Sequence, residues 1–125
     1  MTRAVNLYRP TEDQEQEAVV QWCELMGIDV VHVPNEGKRS AAYGAKMKRM
    51  GLRSGFPDLF LPYPCKRYHG LFIEMKIEGG KATADQRKWL AKLAGRGYRA
   101  VICIGADAAI NEITSYINQI LEKGE

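Results

Sequence analysis

Three features of the sequence predict an α/β fold, a mixed central sheet flanked by helices. Helix-opening capping boxes alternate with short β-branched apolar runs, in the order α-β-loop-β-β-α-β-α. The 125 residues are 46% hydrophobic and 26% charged, the balance of a globular chain with room for one core, so a single domain over residues 1–125 is expected. No internal repeat or low-complexity tract interrupts this pattern.

The first helix is signalled by Thr11-x-x-Gln14 after Pro10 and runs from about residue 12 to 26. Ala18, Val19, Trp22, Leu25 and Met26 are its expected apolar stripe, and Gly27 its stop. Residues 28–33, Ile-Asp-Val-Val-His-Val, predict a short strand ended by Pro34 and Asn35. The stretch 35–56 has no clean period and is expected as a long loop or a short helix. The apolar runs 58–62 and 71–77 predict an antiparallel pair joined by a long turn. Thr83-x-x-Gln86 opens a second helix through about Ala94, with Gln86, Trp89, Leu90 and Leu93 on its inner face. Residues 98–104 read as a buried strand between Gly97 and Gly105, and Asp107 is the expected cap of the last helix. Ile110, Ile113, Ile117, Ile120 and Leu121 are expected on one face of that helix.

Composition also narrows function. No apolar run approaches the roughly 20 residues that span a bilayer, and the N-terminus lacks a signal-peptide core, so the cytoplasm is the expected location. Cys23, Cys65 and Cys103 are too few and too far apart for a disulfide framework or a four-ligand zinc site, and Cys103 reads as a buried small hydrophobe. The net charge of +3 is unremarkable, but its distribution is not. Residues 37–57 hold Lys38, Arg39, Lys46, Lys48, Arg49 and Arg53 and no acid, while residues 1–36 hold seven acids and two bases. Such a run fits either a basic patch facing a polyanion or a solvated loop.

The string with chemical content is Pro57-Asp58, followed sixteen positions later by Glu74-Met75-Lys76. Strand geometry points Glu74 and Lys76 to one face and Ile73, Met75 and Ile77 to the other. Pairing of 58–62 with 71–77 brings Asp58 near Glu74, and two converging carboxylates repel unless a cation lies between them. Oxygen donors of this kind suit Mg²⁺ or Mn²⁺. Ordinary surface residues on a half-exposed strand would give the same alternation, and Asp is also common in turns.

Taken together, Gly55-Phe56-Pro57-Asp58, Phe72-Ile73-Glu74-Met75-Lys76, Gln86 opening a helix and Gly97-Tyr98 before a strand resemble the VRR-NUC family, as does 34–40, Pro-Asn-Glu-Gly-Lys-Arg-Ser. That family is a branch of the PD-(D/E)XK nuclease superfamily found in phage proteins and DNA-repair nucleases, and the resemblance spans about residues 12 to 120. It implies a restriction-endonuclease-like core and metal-dependent phosphodiester cleavage, often on branched or flapped DNA such as four-way junctions. Carried over, it implies that Asp58, Glu74 and the carbonyl of Met75 hold the metal and that Lys76 assists the attacking water and the phosphate. The family also places an acid on the first helix. Glu15 is the choice, because Ala18, Val19 and Trp22 follow at +3, +4 and +7, with Glu12 one turn earlier as the rival. Gln86 fits either an active-site partner or a capping-box residue.

The six bases 38–53 would then contact phosphates without reading bases. Trp22 and Trp89 read as core, and Tyr43 as either a stacking or a surface residue. A DNA-binding module without catalysis and an RNA-processing nuclease are the competing functions; no phosphate loop, Ser-His-Asp string or HExxH points to an unrelated enzyme. If four-way junctions are the substrate, two symmetric cuts imply a C2 homodimer. For a phage-encoded chain the location would be the host cytoplasm.

Overall fold

The computed structural model describes residues 9–34 and 40–122, excluding the side chain of residue 122. Its elements are α1 (Glu12–Met26), β1 (Val31–His32), α2 (Ala41–Arg49), β2 (Leu59–Leu61), β3 (Leu71–Lys76), α3 (Ala84–Gly95), β4 (Arg99–Ile104) and α4 (Gly105–Glu122). The sheet order is β1-β2-β3-β4, antiparallel except for the parallel β3–β4 pair. This is the mixed sheet flanked by helices that the sequence predicts.

Both capping boxes form. Thr11 and Thr83 each accept from the amide three residues on, while Gln14 and Gln86 reach back to the cap amide. Gly27 ends α1 at a φ of 72°, where only glycine is unstrained. The unpatterned stretch contains α2, capped by Ser40 Oγ accepting from the Tyr43 amide. None of its residues is buried, so cap and charge, rather than core burial, support it. Lys46, Lys48 and Arg49 lie in its last turn, where cations favour the helix dipole.

Partners opposite one another in a sheet share a face. Leu59, Ile73, Leu61 and Leu71 therefore point one way, where they pack with Val19 and Cys23 of α1 and Ala109, Ile113 and Tyr116 of α4. Phe60 and Phe72 point the other way, toward α3, and stack at 4.5 Å between centroids. Tyr116 is fully buried, and its hydroxyl donates to the Tyr63 carbonyl at 2.7 Å.

Five expectations need correction. The strand expected to be buried, β4, buries only Cys103 and leaves Ile102 and Ile104 exposed. On α1 the buried pair is Val19 and Cys23, while Leu25 is 86% and Met26 60% exposed and Ala18 is exposed. The first strand keeps only Val31–His32 of the expected 28–33; Ile28 and Val30 instead pack against the core as loop residues. Asp107 does not cap α4, which starts at Gly105 with the Ala106 amide donating to Glu15 Oε1 of α1 at 2.8 Å. On α4, Leu121 is exposed and Tyr116, not assigned to the inner face, is buried.

Candidate active site

Register sets the site. Leu59 lies opposite Ile73 and Phe60 opposite Phe72, so one step back Asp58 lies opposite Glu74 on the α3 face. The Met75 amide donates to Asp58 Oδ2 at 2.8 Å, which fixes that carboxylate against β3. Val33 donates its amide to the Asp58 carbonyl at 2.8 Å, locking the same residue from the β1 side. Gly55 holds the preceding loop against α3: at a φ of +86°, a Cβ there would lie 2.6 Å from the Asp85 carbonyl carbon and 2.7 Å from the Gln86 nitrogen.

Glu74 is 1% exposed, which excludes the half-exposed-strand reading. Its Oε2 accepts from Gln86 Nε2 at 3.0 Å and lies 3.8 Å from Lys76 Nζ. Its Oε1 is buried without a donor among the described residues. Burial, then the charge of Asp58, pushes the Glu74 carboxyl up to about 8, with Lys76 working against them. With the Asp58 charge facing it, the Glu74 carboxyl resists ionisation unless a cation intervenes. Gln86 performs both roles the sequence allowed: Oε1 accepts from the Thr83 amide at 2.8 Å while Nε2 holds Glu74.

A cavity of about 400 Å³ opens over these groups. Its walls carry Glu12, Asp13 and Glu17 of α1 together with Asp58 and Glu74, five carboxylates in all, beside Gln86. The structure thus places Glu12, not Glu15, at the cavity. Glu15 does point inward as its spacing predicts, but its carboxylate is spent on the α4 N-terminus. Burial holds the Glu12 carboxyl above its ordinary range, Lys76 counters it, and Asp58 adds to it, so both residues lie within electrostatic reach of Glu12. Val19 and Cys23 could have revealed the face, since Glu12 and Gln16 precede them in the same stripe. The sequence also leaves Asp13, Gln16 and His32 unmarked and its spacing points Glu17 elsewhere, yet all four line the cavity; His32 Nδ1 lies 3.0 Å from both Gln16 Nε2 and the Asp58 carbonyl.

Of the basic run, Lys46, Lys48 and Arg49 are exposed on α2. Arg53 folds back, donating from Nη1 to the Lys48 and Leu52 carbonyls at 2.9 and 3.2 Å. Lys38 and Arg39 lie outside the described residues.

A VRR-NUC domain model matches residues 10–107 of the chain. The chain belongs to the VRR-NUC family. Among solved structures, a "VRR_NUC domain protein" superposes with a TM-score of 0.78 at 35% identity, covering 90% of this chain and 93% of that one. A second, described as "VRR_NUC domain", gives 0.58 at 23% identity over 84% of this chain and 96% of the other, and shows the shared fold. No curated protein matches. Membership of the VRR-NUC family implies a nuclease of the PD-(D/E)XK type and hence a nucleic-acid partner. No helix among the described residues is long and apolar enough to cross a membrane.

Whether VRR-NUC residues here suit a metal is a question of donors. Among the described residues no three His, Cys, Asp or Glu side chains are gathered tightly enough to enclose an ion alone. Asp58 and Glu74 are nonetheless the kind of two-carboxylate set that Mg²⁺ uses, keeping waters in its other positions, and the donor-less Glu74 Oε1 lacks only a positive partner. If Glu12 completes that set, Glu12→Gln should lower cleavage and metal affinity by about tenfold or more. Glu15→Gln should instead lower the melting temperature through α4 while sparing metal affinity. Metal titration and thermal melts of the two variants check this; the reverse order would return the role to Glu15.

Proposed function

We propose that this VRR-NUC protein is a divalent-metal-dependent endonuclease that hydrolyses DNA phosphodiesters. The observation that supports it best is the buried Glu74, whose Oε1 lacks a donor while Asp58 faces it and Lys76 lies alongside. In this reading Asp58, Glu74 and the Met75 carbonyl hold Mg²⁺ or Mn²⁺, with Glu12 across the cavity. The ion supplies neutralisation of the phosphoryl oxygens and acidification of the attacking water. Gln86 orients Glu74 through Nε2, and Asp58 is oriented by the Met75 amide. Lys76 donates from Nζ toward the attacking water and the phosphate, stabilising charge that develops in the transition state.

Branched DNA, four-way junctions in particular, is the substrate we propose, cut by a homodimer that supplies two sites. The β4 edge, the last strand of the sheet order, is a surface on which a second copy can pair. Incubation of plasmid, hairpin, junction and RNA substrates with Mg²⁺, Mn²⁺ or Ca²⁺ tests the reading. Cleavage of DNA with Mg²⁺ or Mn²⁺, and binding with little turnover in Ca²⁺, is expected. Binding alone in every metal would make the protein a DNA-binding module, and cleavage of RNA alone an RNA-processing nuclease.

The exposed cations of α2 give a separate expectation. If Lys46 and Lys48 reach phosphates, Lys46→Ala/Lys48→Ala should flatten the slope of log K against log salt by roughly two, equally for all sequences. Saturating substrate should then largely restore turnover. An unchanged slope would make α2 a solvated helix.

A further inference from the structure

Next to the acidic cavity lies an opening of different character, a groove of about 300 Å³ walled by Val33, Leu52, Phe56 and Trp89 with Arg53 among its lining. The linings of groove and cavity are linked in three ways. Val33 lines the groove and donates its amide to the Asp58 carbonyl. Phe56 lies two residues before Asp58. Trp89 lies three residues after Gln86, one turn along the same face of α3. A nucleotide whose phosphate reaches Asp58 and Glu74 therefore has its own base, or its neighbour's, within reach of the groove.

The walls are fixed in advance. Phe56 meets the Trp89 ring edge-to-face at 5.0 Å and the Phe72 ring at 5.4 Å, so the aromatic wall is continuous with the sheet. The Lys92 ammonium lies 5.0 Å from the Trp89 ring centroid. The Arg53 guanidinium is tied by Nη1 to two backbone carbonyls, and no acid pairs with it among the described residues. An apolar, aromatic-walled slot with a pre-placed cation, opening beside a phosphodiester site, has the chemistry of a base-binding pocket: apolar surface for the ring and positive charge for the adjoining phosphate.

We propose that this groove holds one unpaired nucleobase of the nucleic-acid substrate next to the scissile phosphate, with Arg53 on the neighbouring phosphate. The proposal rests on the nuclease reading above and adds a subsite to it. A base stacked inside a duplex presents only its edges, so occupancy requires a frayed, flapped or flipped nucleotide. The groove thereby supplies a physical reason for preferring branched over fully paired DNA.

A walking abasic site tests it. Flapped duplexes, each lacking one base at successive positions across the cut, are bound to the full chain in Ca²⁺ and their Kd values measured. For the unaltered protein, one position beside the cut should weaken binding by roughly five- to a hundredfold, the range of one base stack. In Trp89→Ala that position should lose its special cost. Leu52→Trp, which fills the groove from a half-buried rim position and leaves the aromatic wall intact, should lose it as well. Comparing the abasic cost within each variant removes any general loss of stability. A flat profile for the unaltered protein, or the same dip in all three, would overturn the proposal. Failure of the nuclease reading shows itself separately, as no cleavage of any nucleic acid in Mg²⁺ or Mn²⁺ by the unaltered chain.

Discussion

Glu74→Gln is expected to lower cleavage by at least about a hundredfold while leaving the metal-free protein as stable at pH 8 as the parent, or more stable. The two outcomes separate because, in the proposed reading, one carboxylate serves chemistry at the expense of the fold. Glu74 is buried, and burial with the nearby Asp58 charge pushes its carboxyl up to about 8 from an ordinary 4.5. A carboxyl raised on folding contributes stability that is full below about pH 4.5 and is lost as pH rises through about 8. The metal-free parent should therefore lose stability over that window, and Gln, which cannot ionise, should flatten the loss. A divalent cation should reverse it by favouring the ionised pair, so Mg²⁺ should raise the melting temperature more at pH 8 than at pH 6 and release protons on binding. Asp58→Asn should abolish cleavage in the same way. Substrate binding should survive or strengthen in both variants, since a negative charge beside phosphate is gone. Melts across pH with and without Mg²⁺, alongside single-turnover cleavage, are the measurements. Loss of binding in step with activity in a folded variant, or full activity in excess chelator, would sink the assignment of these two acids.

What could be read in the sequence was what neighbours in sequence decide. Each capping box closes over three residues, so Thr11 and Thr83 declared the starts of α1 and α3 without help from the rest of the chain. Asp58, Glu74 and Lys76 were readable because strand alternation and one antiparallel pairing suffice to bring them to one face. Which acid of α1 lines the cavity was not, because Glu12 and Glu15 lie on nearly the same face and the position of α4 decides between them. That decision comes from the hydrogen bond between Glu15 and Ala106, which joins residues far apart in the chain. The same bond explains the misplaced cap at Asp107: the α4 N-terminus is satisfied by another helix, so no local cap is required. Arg53 shows the limit of reading charge alone. It belongs to the basic run by composition, yet its guanidinium closes the end of α2 and reaches the aromatic groove. Gln86 was undecided between two roles because one amide has two ends, and the fold uses both.

Lys76→Ala should reduce turnover by roughly a hundred- to a thousandfold at nearly unchanged stability, a loss typical of removing one donor that acts on transition-state charge. Lys76 Nζ lies 3.8 Å from Glu74 Oε2, and its side chain is only 12% exposed, so the ammonium is directed at the acids rather than at bulk water. At that distance the contact is a weak tie for the fold, and its neighbours on β3 are held by backbone pairing to β2 and β4. A second consequence follows from charge. Lys76 is a nearby positive charge that lowers the Glu74 carboxyl, so its removal should raise that carboxyl further. The residual activity of Lys76→Ala should then rise with pH over a higher range than that of the parent. Lys76→Arg, which keeps the charge in a bulkier fork, should hold the parent's pH profile while recovering only part of the rate. Single-turnover rates across pH, paired with melts of the metal-free proteins, distinguish the readings. If Lys76→Ala unfolds while its folded fraction cleaves at near-parental rates, the lysine is structural. If it is slow but its pH profile is unmoved, Lys76 acts on the phosphate without acting on Glu74.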